Sequence, residues 1–274
     1  MCVPGCYETV NRRLTRRGFF KGATTAALAA GVSTIVAPTA PVRAQSMSFT
    51  KAVDLTHSLW TDFPTYFGKP GLEIEQLFAF EKDGLNLNMW HLNEHTGTHM
   101  DAPIHFSADQ IDASEIPVEQ LVVPLAVIDI AARAADDPDT RLTPDDIEAW
   151  IASNGDLPDG CCVAMYSGWG DHVRSDRFRN ADGDGVMHFP GFHQEASAML
   201  LERNVNGIAV DTLSLDYGPS KDFATHYSWL PAKRWGLECV ANLAELPAAG
   251  ATIVVGGPKI EGATGGPSRI IALV

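Results

Sequence analysis

The chain has 274 residues, of which 45% are hydrophobic and 20% are charged, a composition that is ordinary for a globular enzyme and argues against a disordered protein. Its formal net charge is −14, and the first 44 residues hold six of the 20 basic residues but only one of the 34 acidic residues. Without that segment the charge is −19, which argues against a nucleic-acid-binding protein, because phosphate binding needs a basic surface.

The first 44 residues have the pattern of an export signal. Arg16 and Arg17 precede two phenylalanines and a lysine, and a charge-free stretch over residues 22–42 leads to a small-x-small site at residues 42–44. The paired arginines are typical of twin-arginine export. A membrane anchor would need about 20 strongly apolar residues, whereas this stretch is mainly Ala, Thr and Gly. The sequence therefore predicts a signal over 1–44, a mature domain over 45–274, a periplasmic or secreted location and no stable membrane anchor.

Residues 85–92 lead into a cluster of histidines. Leucine and methionine alternate with asparagine here, and this period of two predicts a half-buried strand. His95 and His99 have the four-residue spacing that would place both on one face of a helix, but Gly97 and Pro103 disfavour a regular helix. We therefore expect a strand that feeds a turn, with the cluster at the strand end.

The cluster holds His95, His99, Asp101 and His105 within eleven residues. Imidazole and carboxylate groups together are ligands that Zn²⁺ or Mn²⁺ accepts. An uncoordinated histidine beside such a site can transfer protons, because its pKa lies near neutrality. The sequence predicts a metal site with a base next to it, although a single histidine in such a place is more often a structural residue.

The rest of the chain alternates strands with a few helices. One helix is predicted to begin with Thr143 as its N-cap and Pro144 at its first position, and to end at Gly155; another covers 195–203. Pro124 indicates an edge strand or a bulge. The predicted strands cover residues 121–130, 163–166, 208–211, 251–255 and 269–274. This order suggests an α/β or α+β single domain.

The cysteines do not form a disulfide framework. The three that follow the predicted signal are odd in number, and two of them are adjacent in sequence. Cys161 and Cys162 open a strand-like run and are expected in the core. Cys239 follows Glu238, and strand alternation would place it on the opposite face.

Two segments carry a resemblance to a known family. Residues 95–105, HTGTHMDAPIH, resemble the hallmark of the bacterial cyclase-like metal hydrolases, which include kynurenine formamidases and isatin hydrolases. A second block of that family resembles residues 224–230, ATHYSWL, and residues 236–243, GLECVANL. The resemblance covers roughly residues 50–274. It implies the swivelling β/β/α fold, usually as a homodimer.

The same resemblance implies roles for further residues. Phe63 matches a family position in the aromatic wall of the substrate pocket, although ordinary loop packing would also explain it. His226 and Glu238 match ligands that complete a two-zinc site in the formamidases, while isatin hydrolases use one Mn²⁺ and lack the glutamate. The presence of Glu238 favours a site able to hold two ions. A surface acid at a strand end is the alternative for Glu238.

We expect an enzyme that hydrolyses an amide-type C–N bond, in a formamide or a cyclic amide, of a small and aromatic molecule. His95, His99 and Asp101 fill the three protein positions of a catalytic zinc, and one or two Zn²⁺ or a single Mn²⁺ would activate water. His105 would act as the proton shuttle. A metal-dependent lyase or dehydratase, a lactone hydrolase and a non-catalytic metal-binding protein are the alternatives.

Overall fold

Residues 48–274 are the part of the chain that the computed structural model describes, so the predicted signal over 1–44 lies outside it. Thirteen strands and five α-helices occur within this range. The strands are β1 (Ala52–Asp54), β2 (Leu72–Phe78), β3 (Leu87–Leu92), β4 (His99–Asp101), β5 (Val122–Asp129), β6 (Arg141–Leu142), β7 (Cys162–Tyr166), β8 (Gly191–Phe192), β9 (Gly207–Val210), β10 (Trp235–Glu238), β11 (Ala251–Gly256), β12 (Gly265–Pro267) and β13 (Arg269–Leu273). The helices are α1 (Phe80–Asp83), α2 (Ala131–Asp136), α3 (Pro144–Asn154), α4 (Gln194–Glu202) and α5 (Ala224–Trp229). None of these helices combines the length and the hydropathy that crossing a bilayer requires.

Nine of the strands described for residues 48–274 form one mixed sheet, in the order β1-β13-β11-β5-β7-β9-β10-β4-β12. The four central strands β5, β7, β9 and β10 are parallel, while their neighbours on both sides run antiparallel. The carboxyl ends of the parallel strands therefore share one edge of the sheet. Next to this edge, β10 meets the antiparallel strand β4, which carries part of the histidine motif.

The core lies on both faces of this sheet. Along β5, Leu125 and Val127 belong to one buried cluster, whereas Ala126 and Ile128 belong to the other, as a period of two requires. Helices α3 and α4 cover the second face with Ile147, Trp150, Ala196 and Leu200. The buried cysteines Cys161 and Cys162 lie in these clusters as expected.

Local signals in the sequence predicted several element bounds. Helix α3 begins after Thr143, whose side chain and that of Asp146 form a reciprocal capping box, and ends at Gly155. Pro124 is the exception, because β5 is a central strand rather than an edge. Pro124 pairs only with β11, and the pairing of β5 with β7 begins one residue later at Leu125, so its missing N–H interrupts no ladder on that side.

The predicted strand before the histidines is present, but it is not half-buried. Strand β3 pairs only with β2, and the two form a hairpin apart from the main sheet. Most of its apolar side chains are exposed, with Met89 at 47% and Trp90 at 67% relative exposure. Alternation correctly predicted the strand, but it could not predict whether another element covers either face.

Candidate active site

The histidine motif meets the main sheet at the carboxyl end of β10. In the antiparallel register of β4 and β10, His99 is opposite Glu238, and Asp101 is opposite Gly236. Residues two apart on a strand share a face, and directly opposed residues do too. His99, Asp101 and Glu238 therefore project to the same side of the sheet, where all three are buried.

His95 reaches this place from the loop that joins β3 to β4. The loop turns sharply at Gly97, whose φ of +72° lies in the left-handed region. A β-carbon at Gly97 would also lie 2.9 Å from Leu59 Cδ1. The carbonyl oxygen of Gly97 accepts a hydrogen bond from His99 Nδ1 at 2.8 Å, so the turn orients one histidine while it delivers another.

His226 comes from helix α5, far along the chain. The buried carboxylate of Asp216 accepts hydrogen bonds from the backbone N–H groups of Thr225 and His226, and so caps the first turn of the helix. The same carboxylate accepts from His226 Nδ1 at 2.6 Å. Asp216 thereby sets both the position of the helix and the rotation of the imidazole.

Asp101 lies at the centre of the cluster. Its Oδ1 is 2.7 Å from His95 Nδ1 and 3.4 Å from His99 Nε2, and its Oδ2 is 3.5 Å from His226 Nε2. Glu238 lies across from it, 3.3 Å from His99 Nε2 and 3.2 Å from His226 Nε2. The structure thus brings together the five predicted ligands from four separate segments.

The electrostatics of the cluster are dominated by burial and by mutual pairing. Burial alone would lower the pKa of His99, but the nearby carboxylates of Asp101 and Glu238 outweigh it and raise that pKa to about 10. Burial favours a neutral Asp101, yet the surrounding histidines hold its pKa well below the usual range. The cluster therefore needs positive charge between its carboxylates, supplied either by protons on the histidines or by a cation.

These residues fit a metal ion. Within residues 48–274, two groups of potential ligands overlap at Asp101: His95, His99 and Asp101 form one, and Asp101, His226 and Glu238 form the other, with ligand atoms within 4.8 Å of one another. His99 Nε2 and Asp101 Oδ2 are buried in the described structure without a hydrogen-bond partner. Such atoms are costly to leave unpaired, and a cation between them would satisfy both.

His105 lies beside the cluster but belongs to neither ligand group. Its ring stacks on that of His95, with centroids 3.8 Å apart and planes 22° from parallel. Burial lowers the pKa of His105 to about 4, so the ring is neutral near pH 7 and able to accept a proton. The side chain also lines the cavity above the cluster.

This cavity has a volume of about 290 Å³ and a largely aromatic wall. The rings of Tyr66, Phe67, Phe106 and Phe223 line it. Phe106 lies 4.5 Å from the His226 ring, centroid to centroid, so the wall begins directly above the cluster. Among the described residues, no lysine or arginine lines the cavity.

Phe63 does not line the cavity wall, so its predicted contact with substrate is corrected. Its side chain is 2% exposed and packs in a buried cluster with Trp60 and Phe178. Tyr66 and Phe67, three and four residues later, face the cavity instead. The prediction identified the correct loop. It did not identify which aromatic side chains of that loop point into the cavity, because this depends on how the loop turns after Phe63.

Comparison with known proteins identifies the family. The family Cyclase, described as "Putative cyclase", matches residues 53–217. The isatin hydrolase of Roseibium aggregatum is 35% identical over 224 residues, which cover 77% of this chain and 85% of that protein.

The chain belongs to the Cyclase family.

This Cyclase-family chain is also similar to a solved structure and to a second kind of hydrolase. The crystal structure of an isatin hydrolase bound to the product analogue thioisatinate has a TM-score of 0.76 and 33% sequence identity, and covers 82% of this chain and 92% of that one. A kynurenine formamidase of Bacillus anthracis is 31% identical over 86 residues, which cover 31% of this chain and 41% of that protein. The predicted fold class and the assignment to metal-dependent hydrolases are confirmed.

Several residues of this Cyclase-family site were not predicted. Phe106 directly follows His105, so its place in the cavity wall could have been predicted from the motif. Leu213 and Phe223 also line the cavity, but no nearby sequence pattern indicates it. Cys239 lines the same cavity as Glu238, contrary to the strand prediction. The strand ends at Glu238, and Cys239 adopts a left-handed backbone with φ of +53°, so alternation no longer applies.

His188 and His193 lie outside the cavity lining. His188 pairs with Asp139 at 2.9 Å, and His193 accepts a hydrogen bond at the first turn of α4. Both contacts are structural.

Proposed function

We propose that this hydrolase opens a neutral cyclic amide fused to an aromatic ring, an isatin-like substrate, by adding water across the C–N bond. The products would be a carboxylate and an aromatic amine in one molecule. The similar enzymes named isatin hydrolase support this substrate class. The observation that carries the proposal is the chemistry of the cavity wall.

A flat, uncharged ring system suits this wall. The four aromatic rings offer apolar surface, and no lysine or arginine of residues 48–274 lines the cavity. N-formylkynurenine carries an ammonium and a carboxylate group besides its formamide. Burying these charges without partners would be costly, so the cavity favours the neutral cyclic amide.

The roles of the site residues follow from their positions. His95, His99, Asp101, His226 and Glu238 would hold the metal, which when bound polarises the scissile carbonyl and lowers the pKa of water. His105 is uncoordinated and neutral, so it would take a proton from the attacking water and return it to the leaving nitrogen. The aromatic rings would orient the substrate and exclude bulk water.

For the metal, we propose a site able to hold two ions, because Asp101 belongs to both groups of potential ligands. The two overlapping ligand groups support this stoichiometry. Zn²⁺ suits their mixture of imidazole and carboxylate donors, and a single Mn²⁺ of higher coordination is the alternative.

We also propose that the enzyme is exported and acts as a homodimer. The twin arginines Arg16 and Arg17 support export to the periplasm. Changing both to lysine should retain the protein in the cytoplasm, as measured by cell fractionation, and undiminished export would reject the signal. The exposed apolar hairpin of β2 and β3 supports self-association.

Turnover measurements test the substrate class. Purified protein reconstituted with Zn²⁺ or Mn²⁺ is assayed on isatin, N-formylkynurenine and a simple aromatic lactone. We expect kcat/KM for isatin to exceed that for N-formylkynurenine by at least about 100-fold, because leaving a charged group buried and unpaired costs about 3 kcal/mol or more. A faster reaction with N-formylkynurenine, or with the lactone, would reject the cyclic amide as substrate. The His99→Ala variant, carried through the same reconstitution, controls for free metal.

A further inference from the structure

His95 is the least enclosed histidine of the cluster. Its side chain is 19% exposed, whereas those of His99 and His226 are each 4% exposed. On the side away from Asp101, the ring meets Thr264, with Nε2 lying 2.9 Å from Thr264 Oγ1. Thr264 immediately precedes the edge strand β12, a part of the chain that the sequence motifs do not include.

The hydroxyl of Thr264 has a second partner, Glu94, which determines the direction in which the hydroxyl proton points. Oγ1 lies 2.6 Å from Glu94 Oε2, and the backbone N–H of Thr264 also points at the Glu94 carboxylate, at 3.3 and 3.4 Å. A carboxylate only accepts hydrogen bonds, so the single hydroxyl proton of Thr264 is donated to Glu94. Oγ1 is then an acceptor toward His95, and His95 Nε2 must carry the proton that it donates.

This assignment leaves the lone pair of His95 on Nδ1. Nδ1 lies 2.7 Å from Asp101 Oδ1, which is also an acceptor. Two acceptors at this distance require a positive charge between them, either a metal ion or a second proton on the ring. The outer contacts of His95 thus prepare its inner nitrogen for a cation.

We infer that Glu94 and Thr264 are positioning residues that hold His95 as the Nε2–H tautomer, so that His95 binds the ion through Nδ1. His99 and His226 have the opposite arrangement. Their Nδ1 atoms contact Gly97 O at 2.8 Å and Asp216 Oδ2 at 2.6 Å, which leaves Nε2 facing the cluster. The Thr264 hydroxyl, held by Glu94, fixes the tautomer of His95. The Gly97 carbonyl fixes that of His99, and the Asp216 carboxylate fixes that of His226.

The backbone of β12 is shaped to permit this contact. A β-carbon at Gly265 would lie 2.7 Å from His95 Cε1 and 2.4 Å from Met100 O, so any larger residue would displace the ring or the strand. Gly265 is also opposite Asp101 in the pairing of β12 with β4. The edge strand therefore places Thr264 against His95 and aligns it with the carboxylate on the other side.

Two measurements test this inference, which rests on the proposed metal site but not on the proposed substrate. The first is the affinity for Zn²⁺, determined by competition with a chelator. Thr264→Val has nearly the same shape but no hydroxyl, and it should weaken binding by about 10- to 100-fold, as the loss of an outer partner of a ligand does. Thr264→Ser keeps the hydroxyl and should bind like the wild type. Glu94→Gln should fall between them, because a neutral amide oxygen still accepts the Thr264 proton.

The second measurement identifies the ligand atom. Protein with ¹⁵N-labelled histidine is loaded with ¹¹³Cd²⁺, and NMR coupling between the metal and each ring nitrogen is recorded. We expect coupling to Nδ1 of His95 and to Nε2 of His99. Coupling to His95 Nε2, or wild-type Zn²⁺ affinity in Thr264→Val, would overturn the inference. Thermal unfolding of the metal-free variants checks that β12 remains folded, and if Thr264→Val does not fold, the ligand atom of His95 observed by NMR in the wild type decides the matter.

A protein that binds neither Zn²⁺ nor Cd²⁺ would overturn the metal site and this inference together. A protein that binds the ion through His95 Nδ1 but does not open isatin would overturn only the proposed substrate.

Discussion

His105 differs from His99, another histidine of the same motif, in its affinity for a proton. The pKa of His99 is raised by its carboxylate partners, whereas burial lowers the pKa of His105 to about 4. Members of one eleven-residue motif therefore have opposite tendencies to hold a proton. A raised pKa suits His99, which would exchange its proton for a metal cation. A lowered pKa suits His105, which as a neutral ring can act as a base.

Replacing His105 should separate chemistry from metal binding. We expect His105→Ala to keep the metal content of the wild type while kcat falls by about 10²- to 10⁴-fold, the usual loss when an acid or base is removed. Metal analysis and steady-state kinetics check this outcome. His188→Ala is the matched control, because His188 lies outside the cavity lining, and its kcat should not change. Loss of metal in His105→Ala would make His105 a ligand instead.

The proposed number of ions can be tested at Glu238. If the site holds two ions, the purified protein should bind about two metals per chain, and Glu238→Gln should bind about one. The glutamine keeps an oxygen for the Leu215 N–H, which donates to Glu238 Oε1 at 3.0 Å, so the strand end is preserved. Elemental analysis after dialysis gives both values.

A control for Glu238 is Glu245→Gln, which changes an exposed glutamate paired with Lys51. Its metal content should equal that of the wild type. One ion per chain in the wild type would contradict the two-ion site and favour the single Mn²⁺.

The hairpin of β2 and β3 exposes apolar side chains that no other element of the single chain covers. In its register, Ile74 is opposite Trp90, and the two are 47% and 67% exposed. Exposed apolar side chains grouped on a hairpin mark an interaction surface more often than a free one. The hairpin also joins the aromatic loop of Tyr66 and Phe67 to the metal motif, so contact with a second copy would restrain both.

Charge placed on the hairpin should dissociate the proposed homodimer. We expect Trp90→Glu to change the species from dimer to monomer at micromolar concentrations, because a carboxylate cannot be buried in an apolar interface without a partner. Light scattering coupled to size-exclusion chromatography measures the mass. Val118→Glu is the control, since Val118 is 72% exposed but lies outside the hairpin. A monomeric wild type, or dissociation by Val118→Glu alone, would contradict the hairpin interface.

In the molecule as a whole, the carboxyl edge of the parallel strands carries another buried carboxylate, Asp211, besides those in and next to the histidine cluster. Asp211 follows β9 and accepts hydrogen bonds from Ser167 and from the backbone N–H of Trp169, which follow β7. Burial nevertheless raises the pKa of Asp211 to about 6. Asp211 therefore links the ends of β7 and β9 by hydrogen bonds. Because its pKa differs between the folded and unfolded chain, its contribution to the free energy of unfolding depends on pH.

The sign of this dependence follows from the two pKa values. The ordinary value is 3.8 and the folded value is about 6, so between these values the folded chain retains a proton that the unfolded chain has lost. The contribution of Asp211 to the free energy of unfolding is full below pH 4, falls as pH rises to about 6, and is constant above it. We expect a fall of about 3 kcal/mol over this window.

Denaturant unfolding of the wild type and of Asp211→Asn between pH 4.5 and 7.5 measures this contribution. Asparagine does not titrate, so the stability of the wild type relative to the variant should decrease with rising pH. Parallel curves would contradict the raised pKa. The comparison also removes the larger pH effects of the metal cluster, which both proteins share.

The sequence by itself determined those parts of the site that depend on neighbouring residues. His95, His99, Asp101 and His105 lie within eleven residues, and Gly97 and Pro103 among them exclude a regular helix, so local chemistry was sufficient to group them. The cap at Thr143 similarly predicted where α3 begins. Resemblance to a family then added His226 and Glu238, which no local pattern connects to the motif.

Only the tertiary structure decided which side chains surround the cluster. Thr264 lies 169 residues after His95, and their contact depends on the pairing of β12 with β4. The backbone turn at Cys239 and the inward packing of Phe63 likewise depend on where strands end and loops fold back. Side-chain direction at such places is set by long-range packing and register, which the periodicity of a single segment does not contain.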